Sequence, residues 1–266
     1  MKVALTIAGS DSGGGAGIQA DLRTFAAHGI HGTSAITAVT AQNSVEVRSY
    51  VALEPAMVAA QIDAVASDMD VAAAKTGMLA NRDIIAAVAE AVTRNRLPFL
   101  VVDPVMVAKS GDRLLDADAE QAYVKLLFPL ATIITPNLYE TQALLGRPVR
   151  SLPAMREAAR ELRTRGPQAV VIKGGHLEGD QAVDVFFDGQ QMVELPAPRI
   201  HTPHTHGTGC TYSAAMAARL ALGASVLEAV RGAKEYLTEA IRRSYGVGRG
   251  HGPVDHMHPL VRRDET

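Results

Sequence analysis

The chain has 266 residues, 47% of them hydrophobic and 20% charged, and its formal net charge is −2. A balance this close to neutral gives no electrostatic attraction to nucleic acid or to an anionic membrane surface, so any bound anion needs a local site. The single cysteine, Cys210, excludes an intrachain disulfide.

The N-terminal sequence MKVALTIAGSDSGG becomes polar too early for a signal peptide. The sequence contains no stretch of about 18 apolar residues, so we expect no transmembrane helix. We therefore expect a cytoplasmic protein.

Short apolar runs rich in valine and isoleucine alternate with longer alanine-rich patterns of helical period. The apolar runs predict strands at 2–8, 33–40, 71–75, 99–103, 131–135 and 169–173. The helical patterns cover 16–28, 55–67, 81–95, 208–222 and 225–244. A hairpin is predicted at 182–195, with Asp188 and Gly189 at its turn.

Strands buried on both faces read as continuous apolar runs, as these do. The alternation therefore predicts β-α-β units and a mostly parallel sheet covered on both faces. No long linker or repeat interrupts the pattern, so we expect a single domain over residues 1–266. Ligands of open α/β sheets bind beyond the carboxyl ends of the strands. Polar motifs follow residues 8, 40, 75, 102, 134 and 172.

The sequence HTHGTGCTYS precedes one of the long helical patterns. Gly207 and Gly209 permit tight backbone conformations at the helix start, and Thr208 opens a first turn whose N–H groups lack partners within the helix. Such a start binds phosphate and stabilises charge during phosphoryl transfer. Cys210 lies on this turn, where the helix dipole is expected to lower its pKa, so that it can accept a proton from a substrate hydroxyl.

Two other interpretations of this motif stay open. One is a glycine-bearing helix start with a buried cysteine. The other is a covalent cysteine nucleophile with His206 as partner, although the sequence shows no third member of such a triad.

The turn GSDSGGGAG at 9–17 looks like a phosphate loop, but the G-x-x-x-x-G-K-[ST] motif is absent. The dinucleotide pattern G-x-G-x-x-G also fails, because Ile18 stands where its last glycine belongs. What remains is an N–H-rich turn between a strand and a helix. An ordinary βα turn is the equal alternative.

The motif TPNLYE places Asn137 and Glu140 on one face of a helix start. An amide and a carboxylate there suit Mg²⁺ held through water beside phosphates. On this motif alone, simple N-capping of the helix is the stronger interpretation.

Two more strands end on charged side chains. Asp103 lies at a strand end in VVDPVMVAKSGDRLL, before a loop that contains Lys109 and Gly111. Lys173 ends the strand of IKGGH. Cations near glycine-rich turns suit nucleotide phosphates. The glycines at 13–15 and Gly111 are consistent with mobile covers over a site.

The histidines form two sequence clusters, which are His201, His204 and His206, and then His251, His256 and His258. A zinc site needs three or four convergent ligands and an outer shell that orients them. Neither cluster lies on a recognisable metal scaffold, so we do not expect a metal there.

Taken together, the motifs AGSDSGGGAGIQAD, TAVTAQNS, KTGML, VVDPVMVAKSGD, TPNLYE, VIKGGH, HTHGTGCTYSAA and GRGHGPVDHMH resemble one family. It is the hydroxymethylpyrimidine/phosphomethylpyrimidine kinases of thiamine biosynthesis, in the ribokinase-like superfamily. The resemblance implies a three-layer α/β/α sandwich that uses ATP and Mg²⁺. It implies phosphorylation of 4-amino-5-hydroxymethyl-2-methylpyrimidine, then of the monophosphate. It also suggests a homodimer. From the near-neutral charge we expect neither nucleic acid nor membrane as partner.

The same resemblance assigns roles to individual residues. The positions that match the family's pyrimidine pocket are Gly9, Asp21, Gln42, Met78, Val105 and Met106. Those that match the ATP and Mg²⁺ side are Asp103, Asn137, Glu140, Lys173 and Thr208, with Glu140 and Asp103 holding the metal through water. Gly207 to Cys210 match the anion hole. The Gln42 amide can donate and accept together, which suits an aminopyrimidine edge.

Cys210 stands where many superfamily members have an aspartate base in G-T-G-D. A thiol near neutral pH is only partly ionised, so the strength of this base stays open. In the expected reaction the substrate oxygen attacks the γ-phosphoryl group in line, with Lys173 and the helix N–H groups as stabilisers. Cys210 accepts the hydroxyl proton in the first step. In the second step the attacking phosphate oxygen is already ionised.

Two alternatives to this function remain. A pyridoxal or pyridoxine kinase would use the same fold on a similar flat alcohol. A non-catalytic ligand sensor or histidine-rich metal-binding protein belongs to another class. The joint presence of Asp103, Glu140, Lys173 and Cys210 argues against the second.

Overall fold

A computed structural model describes residues 1–106 and 117–261 of the chain. Lys109 and Gly111, which the sequence places in a loop after Asp103, lie outside the described residues.

A nine-stranded sheet forms the centre of the fold. The strands are β1 (Val3–Ser10), β2 (His31–Gln42), β3 (Val47–Ala52), β4 (Val71–Thr76), β5 (Leu100–Val102), β6 (Ile133–Ile134), β7 (Ala169–Ile172), β8 (Asp184–Phe187) and β9 (Met192–Leu195). Their order is β3-β2-β1-β4-β5-β6-β7-β8-β9. The strands from β2 to β7 in this order are parallel, whereas β3, β8 and β9 pair antiparallel at the two edges.

Helices cover both faces of this sheet. They are α1 (Gly17–Ala27), α2 (Pro55–Asp68), α3 (Arg82–Arg94), α4 (Ala117–Ala122), α5 (Leu138–Leu145), α6 (Leu152–Arg163), α7 (Thr208–Ala221) and α8 (Val226–Arg242). Helices α1, α7 and α8 pack on one face, and α2 to α6 pack on the other. The predicted α/β class with a mostly parallel sheet is therefore confirmed.

Each central strand contributes to two hydrophobic cores. Val101 and Ile133 pack in the core beneath α7 and α8, while their neighbours Val102 and Ile134 pack in the core on the opposite face. Successive side chains of a strand point to opposite faces, so a strand covered on both sides must be apolar at every position. This is why these strands read as continuous apolar runs.

Several boundaries differ from the predicted ones. β5 and β6 are shorter than the runs at 99–103 and 131–135. Pro104 and Pro136 follow these strands closely, and a proline has no N–H for the sheet ladder. The predicted hairpin is present as β8 and β9.

The edge strand β3 is not predicted from the sequence. Its residues are exposed or half-buried, so they carry no continuous apolar run. Within residues 1–106 and 117–261, no helix combines the length and apolar character that a membrane crossing requires.

Candidate active site

A cavity of about 1210 Å³ opens at the edge of the sheet where the parallel strands have their carboxyl ends. Its lining includes residues that directly follow β1, β4, β5 and β7, together with the first turn of α7. One end of the cavity reaches the β2–β3 hairpin, and the other end reaches α8. The cavity thus lies where the polar motifs predict a ligand site.

The first turn of α7 lines the middle of this cavity. Gly207 is its N-cap residue, with a left-handed φ of 80°. A Cβ at Gly207 would lie 1.9 Å from the Gly15 carbonyl oxygen, so no side chain fits there. In the described part of the chain, the N–H groups of Gly209 and Cys210 have no hydrogen-bond partner. Unpaired N–H groups at a helix N-terminus suit a phosphate oxygen.

The Cys210 thiol differs from its predicted state. Burial raises its pKa to about 11, although the positive charge of Lys75 and the Gly17 N–H act against that rise. The expectation that the helix dipole lowers this pKa is therefore wrong, because the loss of hydration outweighs it. His206, the suggested partner of a covalent nucleophile, faces Asp11 at 2.9 Å instead.

Asp103, Lys173 and Glu140 form a buried charged cluster beside α7. Lys173 Nζ donates to Asp103 Oδ1 at 2.7 Å and lies 3.9 Å from Glu140 Oε2. A Cβ at Gly209 would lie 3.4 Å from Asp103 Oδ2 and 3.5 Å from Lys173 Nζ. The cluster is therefore in contact distance of the helix start that carries the unpaired N–H groups.

Burial and mutual charge decide the protonation of this cluster. Burial, reinforced by the charge of Asp103, raises the pKa of Glu140 to about 7, although Lys173 acts to lower it. Burial acts to lower the pKa of Lys173, but the charges of Asp103 and Glu140 prevail and raise it. Lys173 is therefore a permanent cation at neutral pH.

Asn137 and Glu140 cap α5. Asn137 Oδ1 accepts the Glu140 N–H at 2.9 Å, and Glu140 Oε2 accepts the Asn137 N–H at 2.6 Å. The capping interpretation of this motif therefore holds as geometry. Both residues also line the cavity, so the cap places an amide and a carboxylate at the site without excluding a ligand there.

The turn at 9–17 is organised around Asp11. Its carboxylate accepts the N–H groups of Gly13, Gly15 and Ala16 at 2.8, 3.0 and 2.8 Å. Burial acts to raise the pKa of Asp11, but the hydrogen bond and charge of His206 together with the N–H groups of Ala16 and Gly13 lower it. The N–H groups that suggested a phosphate loop are thus bound to Asp11, and the ordinary βα turn is the alternative that the structure contains.

Four of the six residues expected in the pyrimidine pocket line the cavity, namely Gly9, Gln42, Met78 and Val105. A Cβ at Gly9 would lie 3.4 Å from Met78 Sδ, so any side chain at position 9 would press against Met78 at this wall of the cavity. Gln42 Nε2 lies 3.3 Å from His206 Nε2. The other two, Asp21 and Met106, do not line the cavity and are buried behind its wall.

Asp21 belongs to a buried ion pair that sequence reasoning missed. Its Oδ2 accepts from Lys75 Nζ at 2.8 Å and from Thr6 Oγ1 at 2.6 Å, and the side chains of the ion pair are fully buried. Burial acts to lower the pKa of Lys75, but the negative charge of Asp21 prevails and raises it. Lys75 lines the cavity as a fixed cation. Within KTGML a single lysine carried no signal for such a role.

The end of the cavity near α8 is an apolar slot that the sequence does not indicate. Its apolar lining consists of Ala182, Ala197, Pro198, Ile200, Leu237 and Ile241, and the polar side chains of Arg199, Lys234 and Thr238 line the same end. Helical periodicity places Leu237 and Ile241 on one face of α8. No local pattern shows that this face meets the segment after β9.

The histidines hold backbone segments together. His204 Nδ1 accepts the Gly252 N–H at 3.1 Å, and His251 Nδ1 lies 2.8 Å from the Pro203 carbonyl. His256 Nδ1 lies 2.8 Å from a hydroxyl of α7. Across the described ranges, no three His, Cys, Asp or Glu side chains converge in a way that would ligate a metal directly.

Comparison with known proteins confirms the resemblance carried by the motifs. A model of the phosphomethylpyrimidine kinase family matches residues 11–255. The hydroxymethylpyrimidine/phosphomethylpyrimidine kinase of Synechococcus elongatus is 52% identical over 261 residues, which cover 98% of this chain and 99% of the relative. An ADP complex of Bacillus subtilis pyridoxal kinase has a TM-score of 0.91 at 43% identity, covering 96% of this chain and 97% of that one. Phosphomethylpyrimidine kinase from Clostridium difficile has a TM-score of 0.81 at 42% identity, covering 91% and 100%. The chain belongs to the phosphomethylpyrimidine kinase family.

Proposed function

We propose that this kinase transfers the γ-phosphoryl group of ATP to 4-amino-5-hydroxymethyl-2-methylpyrimidine and then to its monophosphate, for thiamine biosynthesis. The observation that carries the proposal is the position of the α7 start. Its unpaired N–H groups lie in one cavity between a wall that suits a pyrimidine and an apolar slot that suits a nucleotide base. The names of the curated relatives support the pyrimidine as substrate.

The pyrimidine is held at the β2–β3 end of the cavity. Gln42 offers an amide to the aminopyrimidine edge, and Gly9, Met78 and Val105 flank the ring. Asp21 acts from behind this wall, because its carboxylate is committed to Lys75. Met106 supports the wall through the core.

ATP occupies the other half of the cavity. Its base fits the apolar slot between α8 and the segment after β9, and Lys173 meets its phosphates. The first turn of α7, from Thr208 to Cys210, faces the transferring group. The ADP complex named for the Bacillus subtilis relative supports a nucleotide site in this fold.

In the first step the substrate hydroxyl loses its proton while its oxygen bonds to the γ-phosphorus and the bond to ADP breaks. Cys210 is the proton acceptor, and it acts through its minor thiolate form. In the second step a phosphate oxygen of the monophosphate attacks. That oxygen carries a negative charge already, so no base is needed.

The charged cluster fits Mg²⁺ held through water. Asp103 and Glu140 are oxygen donors, the ligand type that Mg²⁺ prefers, and their carboxylates are already engaged by Lys173 and by Asn137, which leaves outer-sphere contacts. When bound, the metal would neutralise charge on the phosphates of the nucleotide. Asn137 and Thr208 would stand beside it.

The second candidate is pyridoxal phosphorylation, which the structural likeness to pyridoxal kinases favours. The test is a steady-state assay with the pyrimidine alcohol, its monophosphate and pyridoxal. We expect both pyrimidines to turn over with higher kcat/KM than pyridoxal. Gln42→Leu should raise KM for the pyrimidine alcohol about tenfold or more, since a hydrogen-bonding partner of the pyrimidine is lost, while KM for ATP stays unchanged. Gln190→Leu, on the exposed β8–β9 turn, is the matched control. Turnover of pyridoxal alone would overturn the proposal.

We also propose a homodimer that acts in the cytoplasm. Val39 and Val51 are cross-strand partners on β2 and β3, and they are 48% and 68% exposed. They belong to the face of the hairpin opposite to Thr40, which lines the cavity. An exposed apolar pair on the two outermost strands of the sheet suits a second copy of the chain. The one cysteine, kept free beside the active site, suits a reducing compartment.

A further inference from the structure

The loop that follows β7 runs from residue 174 to residue 181 and has little regular secondary structure. It begins directly after Lys173, the cation expected to meet the nucleotide phosphates. Two of its residues, Gly175 and His176, line the cavity. We refer to residues 174–181 as the β7–β8 loop.

One guanidinium group holds the interior of this loop. Arg199 lies after β9, and its Nε donates to the Gly179 carbonyl at 2.6 Å and its Nη1 to the Gly175 carbonyl at 2.7 Å. Its Nη2 donates to the Leu177 carbonyl at 2.5 Å and to the Gln181 carbonyl at 3.3 Å. Four carbonyls spread over seven residues of the loop thus converge on a single side chain.

The ends of the loop have separate anchors. At the far end, the Ala182 N–H donates to the Ala197 carbonyl at 2.9 Å and the backbone N–H of Arg199 donates to the Asp180 carbonyl at 2.9 Å. The Gly174 N–H donates to Asp184 Oδ1 at 2.8 Å, and a Cβ at Gly174 would lie 1.8 Å from the Val183 carbonyl oxygen. Lys234 of α8 bonds the other oxygen of Asp184 at 2.8 Å. Loss of the Arg199 guanidinium would therefore release residues 175–179 of the loop while its ends stay attached through backbone hydrogen bonds.

The geometry needs an arginine. A guanidinium presents five N–H donors in a rigid plane, so it can reach several carbonyls at once, whereas a lysine ammonium is a compact charge on a flexible stem. The carbonyl and the following N–H of one peptide point in opposite directions, because the peptide is planar. By fixing the Gly175 carbonyl, Arg199 also fixes the direction of the His176 N–H at the cavity wall.

Arg199 joins the two parts of the nucleotide half of the cavity. It lines the cavity itself, between Pro198 and Ile200 of the apolar slot. Through Gly175 it reaches the loop that follows the phosphate-binding lysine. The slot for the base and the loop for the phosphates are thereby held in one arrangement.

We propose that Arg199 is a positioning residue for the nucleotide, which holds the β7–β8 loop in the conformation that receives the polyphosphate of ATP. The inference rests on the proposed nucleotide site, and it adds a residue to which neither the motifs nor the family resemblance assigned a role. Arg199 acts through backbone carbonyls of the loop. Its charge alone is not sufficient for this role.

The test measures binding of AMP-PCP, a non-hydrolysable ATP analogue, and of the pyrimidine alcohol by calorimetry, in wild type and Arg199→Lys. Lysine keeps the charge and loses the planar set of donors. We expect the Kd for AMP-PCP to rise about tenfold or more, since several charge-assisted hydrogen bonds are lost, and the Kd for the pyrimidine to stay within about twofold. Arg156→Lys is the matched control, because Arg156 pairs with Glu194 on β9 and does not line the cavity.

Unchanged AMP-PCP affinity in Arg199→Lys would overturn the inference, and so would an equal loss of both affinities, which would mean a general structural role. A second measurement needs no variant: in wild type, AMP-PCP should slow amide hydrogen exchange in residues 174–181. Absence of that protection would also overturn the inference. A wild-type chain that binds no AMP-PCP would instead refute the proposed nucleotide site itself.

Discussion

Removing the Cys210 thiol should separate the two phosphorylations. With a pKa of about 11, about one thiol in a thousand is ionised at pH 8, which corresponds to a cost of about 4 kcal/mol for forming the thiolate. If this thiolate is the base of the first step, the rate of that step should rise about tenfold per pH unit between pH 7 and pH 9. Cys210→Ala and the near-isosteric Cys210→Ser should both lose this slope and about a hundredfold in rate at pH 8.

The second phosphorylation should respond differently. Its nucleophile is an ionised phosphate oxygen, so both variants should stay within about threefold of wild type at every pH, because no proton has to be removed. Single-turnover assays of each step, from pH 7 to pH 9, provide the comparison. Since the chain has one cysteine, the rate of iodoacetamide incorporation reports the ionisation of Cys210 without background. Equal losses in both steps, or a pH slope that survives in Cys210→Ala, would refute the assignment of Cys210 as the base.

Three further predictions concern the start of α7, the buried His256 and the proposed dimer. Gly207→Ala would place its Cβ 1.9 Å from the Gly15 carbonyl, so we expect phosphoryl transfer to be lost. Gly223→Ala shares a positive φ but has no atom within 4 Å, so it should keep full activity and lose about 1 kcal/mol of unfolding free energy; equal effects would contradict the steric argument. Burial lowers the pKa of His256 from 6.5 to about 4, so its stabilising neutral form is present above pH 6.5 and is lost as the pH falls to 4. Over that range, urea unfolding should show a loss of unfolding free energy about 3 kcal/mol larger in wild type than in His256→Asn. The opposite contribution of Glu140, whose raised pKa stabilises the fold as the pH falls, is common to both proteins; a variant with the wild-type pH dependence would exclude His256 as the cause. Val51→Glu should convert the dimer to a monomer in sedimentation velocity at unchanged secondary structure, and a wild-type monomer would refute the dimer.

The parallel core of the fold is predictable from local sequence. Val101, Val102, Ile133 and Ile134 must be apolar whichever face they serve, so their strands stand out against the helical patterns. Strand β3 lacks this constraint. Its residues are exposed or half-buried and need not be apolar. No apolar run therefore distinguishes this strand from a loop in the sequence.

The site is predictable where chemistry is concentrated in a short motif. Gly207, Gly209 and Cys210 form one helix start, and both the glycine spacing and the helix that follows are visible in the sequence. The ionisation of Cys210 is not visible there, because it depends on how deeply α7 is buried against Lys75 and its neighbours.

Interactions between distant segments escape the sequence altogether. Asp11 binds three N–H groups of its own turn and also His206, which is 195 positions away. The glycine-rich sequence of the turn predicts unpaired N–H groups. In the structure these groups donate to the Asp11 carboxylate, which lies within the same turn. Arg199 presents the same difficulty, since its four carbonyl partners lie 18 to 24 positions earlier in the chain.

The charges at the site imply that the two steps place different demands on it. Asp103, Glu140 and Lys173 sum to −1 when all are ionised, and Lys75 and Asp21 cancel. A nucleoside triphosphate adds further negative charge to the site, and in the second step the acceptor carries a phosphate as well. The unpaired N–H groups of α7 oppose this excess, and a divalent cation near the two carboxylates would change the charge of the cluster from −1 to +1. If Cys210 is the base, we expect electrostatic repulsion between phosphates to limit the second step, and proton transfer to a weakly ionised thiol to limit the first. Substitutions in the charged cluster should accordingly weigh more on the second step, and substitutions at Cys210 more on the first.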